Sequence, residues 1–400
     1  MASRSGSADL PLHGGRVPSW LATRMASMAR VVTEAIVHHY GRDEWLARLA
    51  NPFWFQSFGA IMGMDWHSSG ITTSVIGALK RGLAPVEWEL GLHVCGGRGR
   101  HSRKTPAELV AIGERVGLNG AKLADASRLV AKVDSAAVQD GFQLYLHGFV
   151  VSDTGNWIVV QQGMNARRRE ARRYHWQSSR IRDFVEEPHS AVEGPNQGVI
   201  LNLTDRRARR ARALQVELAA SPDAVVRTLK MPRHHEVRAS DVNLRRLRSA
   251  LLAAANRGPK DFQDLLLTPG LGARTVEALA LVAEVVHGAP GRFRDPARFA
   301  FAHGGKDGHP FPVPIDVYDE TIRLLHRAVD KAQMGNEERL SAIRRLDRES
   351  RRLEAWAATG THFQALVRER REQSSGLGGR TAFDRNRAEP RARQLSLFDD

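Results

Sequence analysis

The residues of this chain whose types could do chemistry fall into polar islands set within apolar sequence. Asp65-Trp66-His67-Ser68-Ser69 closes an aromatic-rich segment that begins at Asn51. A carboxylate two residues from an imidazole can ligate a metal or move a proton, although Ser68, Ser69 or Thr72 would equally cap the next helix and leave His67 exposed. Gln143, Tyr145 and His147 alternate with apolar residues and are therefore predicted to share one face of a strand; a solvated face gives the same alternation. Gln161 opens Gln161-Gln162-Gly163-Met164-Asn165, which ends the return strand. Positive charge comes from Lys80 and from Arg98, Arg100 and Arg103 in a glycine-rich stretch. Imidazole and carboxylate for metal (Mg or Mn) or acid/base work, amides for positioning and cations for a charged phosphorus centre are the equipment of phosphodiester cleavage. The expected catalytic set is Asp65, His67, Lys80, Gln143, His147 and Gln161, with no complete nuclease signature ordering it.

Residues 17–40 carry Trp20, Leu21, Met25, Met28, Val32 and Ile36 on one helical stripe, and a second helix runs to about residue 50. Thr105-Pro106-Ala107-Glu108 reads as a capping box opening a helix to about Val116, and another helix follows from about Gly120 to Ala137. The island from Gly96 to Pro106 lacks the Gly-Lys-Ser/Thr order of a nucleotide P-loop, so ATP hydrolysis is not expected. Residues 141–162 are the strongest β signal, with Asp153-Thr154-Gly155-Asn156 as the turn. Arg167-Arg168-Arg169-Glu170-Ala171-Arg172-Arg173 follows, a run expected to meet an anionic backbone, with Tyr174-His175-Trp176 available to stack on a base; a charged helix face is the alternative. Residues 178–203 read as irregular.

The pattern is that of an α+β protein, mainly helical, with a small antiparallel sheet. An N-terminal α+β domain is expected over 8–215 and a helical domain over 240–335, the boundary marked by Pro222 and Pro232. A basic helical segment then covers 336–370, and a Gly/Ser/Arg-rich tether covers 371–400.

Composition narrows the partners. Among 400 residues, 59 are Lys or Arg against 44 Asp or Glu, a net charge of +15 that favours a polyanion. One cysteine, Cys95, excludes an intrachain disulfide framework and a cysteine-based zinc site, as expected of a protein kept in a reducing cytoplasm. No apolar run reaches the length of a signal peptide core or a membrane span.

Asp264-Leu265-Leu266-Leu267-Thr268-Pro269-Gly270-Leu271-Gly272-Ala273-Arg274-Thr275 reads as two helices joined by a glycine hairpin. Glycines at 270 and 272 would turn amide N–H groups outward beside the positive end of the second helix, where a phosphate oxygen fits and no base is read. An ordinary helical hairpin with a glycine cap has the same outline. The stretch resembles the helix-hairpin-helix motif of DNA repair proteins, which implies DNA contacts through Gly270, Gly272, Arg274 and Thr275. The expected DNA-binding set adds Arg98, Arg100, Arg103, Arg167, Arg168, Arg172 and Arg173.

Leu10-Pro11-Leu12-His13-Gly14-Gly15, Gly63-Met64-Asp65-Trp66-His67-Ser68-Ser69-Gly70, Gln161-Gln162-Gly163-Met164-Asn165 and Ala302-His303-Gly304-Gly305-Lys306-Asp307-Gly308-His309-Pro310 together resemble the family catalogued as domain of unknown function 763, over about residues 8–330. The hairpin also resembles that of endonuclease III-type glycosylases, but Arg274 stands where they carry the lyase lysine, and Asp295 only loosely matches their aspartate. Gln394-Leu395-Ser396-Leu397-Phe398 resembles the peptide by which bacterial repair and replication proteins dock on the sliding clamp, which implies clamp contacts through Gln394, Leu395, Leu397 and Phe398. The resulting expectation is a nucleoid-associated protein that binds DNA and the clamp and cuts phosphodiester bonds. A non-catalytic adaptor that brings partners to the clamp, or a base-excision glycosylase, are the alternatives.

Overall fold

Periodic apolar residues make the N-terminal third helical. The computed structural model describes residues 7–9, 17, 19–62, 64, 69–168, 170–229, 244–297 and 312–314. After β1 (Ser7–Asp9) come α1 (Ser19–Tyr40), α2 (Arg42–Ala50), α3 (Pro52–Ile61), α4 (Gly70–Leu83) and α5 (Glu87–Leu90). The Asn51 side chain caps α3, accepting from the amides of Phe53 at 2.9 Å and Trp54 at 3.2 Å, and Pro52 takes a first-turn place where no N–H is needed.

Next come β2 (Leu92–Arg98), α6 (Arg100–Val116) and α7 (Gly120–Lys132), which runs into a π-helical turn at Val133–Ala137. Then follow β3 (Val138–Gln139), β4 (Gln143–Ser152), β5 (Trp157–Asn165), β6 (Glu170–Gln177), β7 (Ala191–Glu193) and β8 (Val199–Asn202). The last elements are α8 (Arg209–Ala219), α9 (Pro222–Leu229), α10 (Leu244–Arg257), α11 (Phe262–Leu266), α12 (Ala273–His287), β9 (Arg292–Arg294) and β10 (Pro312–Pro314).

The fold is α+β. Its main sheet is antiparallel in the order β2-β4-β5-β6-β7, with a second sheet β3-β8-β9 and a pair β1-β10. Alternation along the strands divides the main sheet into two buried faces. Val94, Leu146, Val150, Ile158 and Val160 pack with Met25, Trp45, Phe55 and Ile76 of α1 to α4. Phe149, Val151, Val159, Tyr174 and Trp176 pack on the other side with Leu109, Leu129, Leu251, Leu265, Val276 and Leu279. The second core runs without interruption from Cys95 to Ala297, so α8 and α10 to α12 share it with the sheet.

The structure corrects several local expectations. The helix after the glycine-rich stretch begins at Arg100, with Pro106 inside it. The carbonyl of Ser102, which a residue-106 amide would normally pair, accepts the Thr105 hydroxyl at 2.9 Å, so the proline is tolerated. Glu108 reaches not back to a cap but to the Gly96 amide at 2.6 Å. Register along β4 shifts between Leu144 and Leu146, a bulge that places Leu144 with the Phe149 core and Tyr145 with the Leu146 core. Gln143, opposite Met164, therefore falls on the face away from His147, and the two do not share a face. The stretch read as irregular contributes β7 and β8, and the arginine run enters strand β6. Among the described residues no helix is long and apolar enough to cross a membrane.

Candidate active site

His147 on β4 and Gln161 on β5 are cross-strand partners on the face that meets α7. His147 Nδ1 lies 2.7 Å from Gln161 Oε1, and the Gln161 amide nitrogen donates to Asp134 in the π-helical turn. Asp134 also accepts from Trp176 Nε1 at 2.9 Å and pairs with His189 Nε2 at 2.5 Å. Because a carboxylate only accepts, Gln161 must turn its NH₂ to Asp134 and its oxygen to His147. His147 then carries its proton on Nδ1 and presents a bare Nε2 lone pair. That nitrogen lies 2.9 Å from the hydroxyl of Ser127 on α7, which donates to it. Burial pushes the His147 pKa down; Gln161 and the Asp134 charge oppose that shift, so the ring is a neutral base at neutral pH.

The pair borders a cavity of about 350 Å³ between the sheet, α6, α7 and α11. Ser127, His147 and Gln161 line it together with Arg103, Arg128 and Lys132, while Leu144 and Leu267 supply apolar wall. Arg128 is paired to Asp125 at 2.7 Å on the exposed face of α7. Arg103 is exposed and has no ion-pair or hydrogen-bond partner among the described residues. Burial pushes the Lys132 pKa down, and its ammonium donates to the carbonyl of Leu271.

Leu267 and Leu271 connect this cavity to the glycine hairpin. Gly270 has φ of +80°, the left-handed region that glycine enters at little cost, and Gly272 caps α12 in extended backbone. A Cβ at either position would meet nothing within 4 Å, so both backbones are open to a partner. Gly270, Gly272, Arg274 and Thr275 line a second hollow of about 390 Å³ with Arg246 and Leu247 of α10. Thr275 is buried there, its amide bonded to the Gly272 carbonyl at 3.0 Å, whereas Arg274 is exposed.

The other predicted residues lie elsewhere. Lys80 on α4 is paired with Glu108 at 2.9 Å and donates to the Gly96 carbonyl at 3.1 Å, which fastens α4 to α6 and β2, and it does not line the His147 cavity. Gln143 is exposed at the start of β4. Arg98 and Arg100 are exposed near the end of β2, on the α6 side that also carries Arg103. Arg167 and Arg168 are exposed in the β5–β6 turn, with Arg168 bonded to Gln197.

Arg172 and Arg173 are a correction, because both are buried and cannot reach a phosphate. Arg172 binds Asp140 at 2.7 Å and Asp295 at 2.6 Å, and its pKa stays raised by these carboxylates although burial opposes it. Arg173 pairs with Glu193 and donates to Gln56 at 3.0 Å. Asp65, His67 and the peptide Gln394, Leu395, Leu397 and Phe398 lie outside the described residues. Ser127 and Asp134 were missed in the sequence: both sit in a helical run whose apolar positions give them no distinguishing spacing. Among the described residues no three His, Cys, Asp or Glu side chains are grouped to hold a metal.

These features define an α+β protein whose sheet carries an oriented histidine in a cationic cavity. The chain belongs to the family described as protein of unknown function (DUF763), whose profile matches residues 6–313. No curated protein and no solved structure matches it.

Proposed function

We propose that the protein binds DNA through the Gly270–Gly272 hairpin and cuts phosphodiester bonds in the adjoining His147 cavity. One observation carries this reading: the cavity holding an oriented neutral base and the cations Arg103, Arg128 and Lys132 is walled by Leu267, three residues before Gly270. A backbone held at the hairpin would lie beside a base able to take a proton from an attacking group, with cations to steady the phosphate charge. The net charge of +15 supports a polyanionic partner. Residues 394–398 add, from their sequence alone, docking on the bacterial sliding clamp.

The test is incubation of the full chain with end-labelled single-stranded, duplex and nicked DNA, with and without Mg²⁺ or Mn²⁺. Cleavage lost in His147→Ala with DNA affinity retained is the expected result. Binding without cleavage of any substrate would leave the adaptor reading instead, and absence of binding would overturn both.

A further inference from the structure

We infer that Ser127 is a nucleophile that attacks phosphorus and carries a covalent phosphoryl-DNA intermediate, an inference that rests on the phosphodiester reading for its substrate but not for its activation. The observation is a chain of four side chains in one line of hydrogen bonds. Ser127 Oγ meets His147 Nε2 at 2.9 Å, His147 Nδ1 meets Gln161 Oε1 at 2.7 Å, and the Gln161 amide donates to Asp134. A nucleophile bonded to a base, and a base oriented by a third group, is the arrangement that activates a hydroxyl. Gln161 is a positioning residue here: it fixes the tautomer that leaves Nε2 free to accept the serine proton.

Burial sharpens the case. Ser127 is 2% and His147 5% exposed, yet both line the same cavity, so the pair lies at the floor of a hollow that opens to solvent past Arg103 and Arg128. A serine needed only to fill a helix–sheet contact would not require an imidazole partner of fixed tautomer, nor cations on the rim. Arg103, Arg128 and Lys132 around the cavity select an anionic centre over a neutral acyl group.

The step balances as follows. As Ser127 Oγ bonds to phosphorus, its proton passes to His147 Nε2. The bond between phosphorus and one deoxyribose oxygen breaks, and that oxygen leaves as a hydroxyl with the proton from His147. Ser127 is then joined to one DNA end through a phosphodiester. Water next attacks the phosphorus and gives a proton to His147 Nε2, and Ser127 Oγ departs with that proton, leaving a terminal phosphate on the DNA.

Two measurements on the full chain test this separately from DNA processing. A biotin-tagged fluorophosphonate, whose P–F bond an activated serine opens, should label the wild-type protein at Ser127 as located by peptide mass spectrometry. Labelling should be absent in Ser127→Ala, unchanged in Ser249→Ala on the outer face of α10, and slowed about 100-fold or more in His147→Ala. In Gln161→Leu it should also slow while circular dichroism stays that of the wild type. No label at Ser127 of the wild type overturns the inference, even if Ser127→Ala fails to fold. With end-labelled DNA, a denaturant-stable adduct on Ser127 is expected. DNA cleavage that persists in Ser127→Ala would mean direct attack by water and sink the nucleophile, leaving the phosphodiester reading in place. Labelled Ser127 with no DNA cleaved would sink the DNA reading and keep the nucleophile.

Discussion

The side-chain amide of Gln139 donates to the carbonyl of Ala273 at 2.8 Å, joining the short strand after the π-helical turn to the first turn of α12. Lys132 makes a parallel tie to the Leu271 carbonyl. The glycine hairpin is thus held from both sides of the turn that carries Asp134, by the end of α7 and by β3. Gln139→Ala should cost about 1 kcal/mol of stability and should speed amide hydrogen exchange at Leu271 to Thr275 before it affects the sheet. Exchange that rises uniformly across the chain, or not at all, would show that the hairpin is not secured here.

The two hairpin glycines should respond differently to substitution. Gly272 has extended backbone and open space around its Cβ position, so Gly272→Val adds a side chain without strain. Gly270 has φ of +80°, so Gly270→Val adds strain of roughly 1–2 kcal/mol as well as bulk. If amides at the hairpin hold phosphate, Gly272→Val should weaken binding to every DNA sequence alike, while stability falls only by the loss of a good N-cap residue, about 1 kcal/mol. Fluorescence anisotropy against several unrelated duplexes decides it, and affinity equal to wild type on all of them would refute the hairpin contact.

The arginine run contains two physically different kinds of arginine. Arg172→Met should destabilise the fold by about 3–5 kcal/mol, since it strands the Asp140 and Asp295 carboxylates in the core. Arg167→Ala, on the exposed turn, should change stability by less than about 0.5 kcal/mol while lowering the salt dependence of DNA binding by about one phosphate contact. Thermal melts and affinity at several salt concentrations separate the two. A large melting shift in Arg167→Ala would contradict the assignment.

How much of this was legible beforehand follows from the range of the interactions involved. Alternating apolar residues and the turn at Gly155 fixed β4 and β5 because those signals are local. The bulge at Leu144 leaves no local mark, so alternation alone puts Gln143 and His147 on one face where the fold separates them. Five arginines within seven positions look like a solvated surface. The counter-charges of Arg172 and Arg173, namely Asp140, Asp295 and Glu193, come from distant segments that only the folded chain brings together. His147 and Gln161 stood out as polar residues within β sequence. Ser127 did not, because one serine on an amphipathic helix carries no pattern until a histidine is seen against it.

For the tail, Leu397→Ala combined with Phe398→Ala should reduce clamp binding by more than about tenfold, since two apolar anchors at ~1 kcal/mol each exceed one decade. DNA affinity should be unchanged, because the substitutions lie far along the sequence from the hairpin and the exposed arginines. Isothermal titration with the purified clamp tests it. No measurable binding by wild type, or equal binding by both, would remove the clamp from the proposal.

Acid should weaken the fold through its buried histidines. Burial lowers the pKa of His147 and lowers that of His175 much further, Arg173 adding to the second shift. The unfolded chain therefore takes up protons near the ordinary histidine value of about 6.5, at a pH where the folded chain still does not. Stability is accordingly full above that value and falls as the pH drops below it toward the folded values. His147→Gln should flatten part of this acid limb below about pH 6.5, the remainder belonging to His175 and, at lower pH, to carboxylates. The same shift predicts a kinetic signature. Burial holds His147 neutral in the folded protein to a lower pH than a free imidazole, so the fall in fluorophosphonate labelling of Ser127 should set in below about pH 6.5 for as long as the fold survives. A labelling rate that halves near pH 6.5 while the melting temperature is still unchanged would show a solvent-exposed imidazole and remove the buried base from the site.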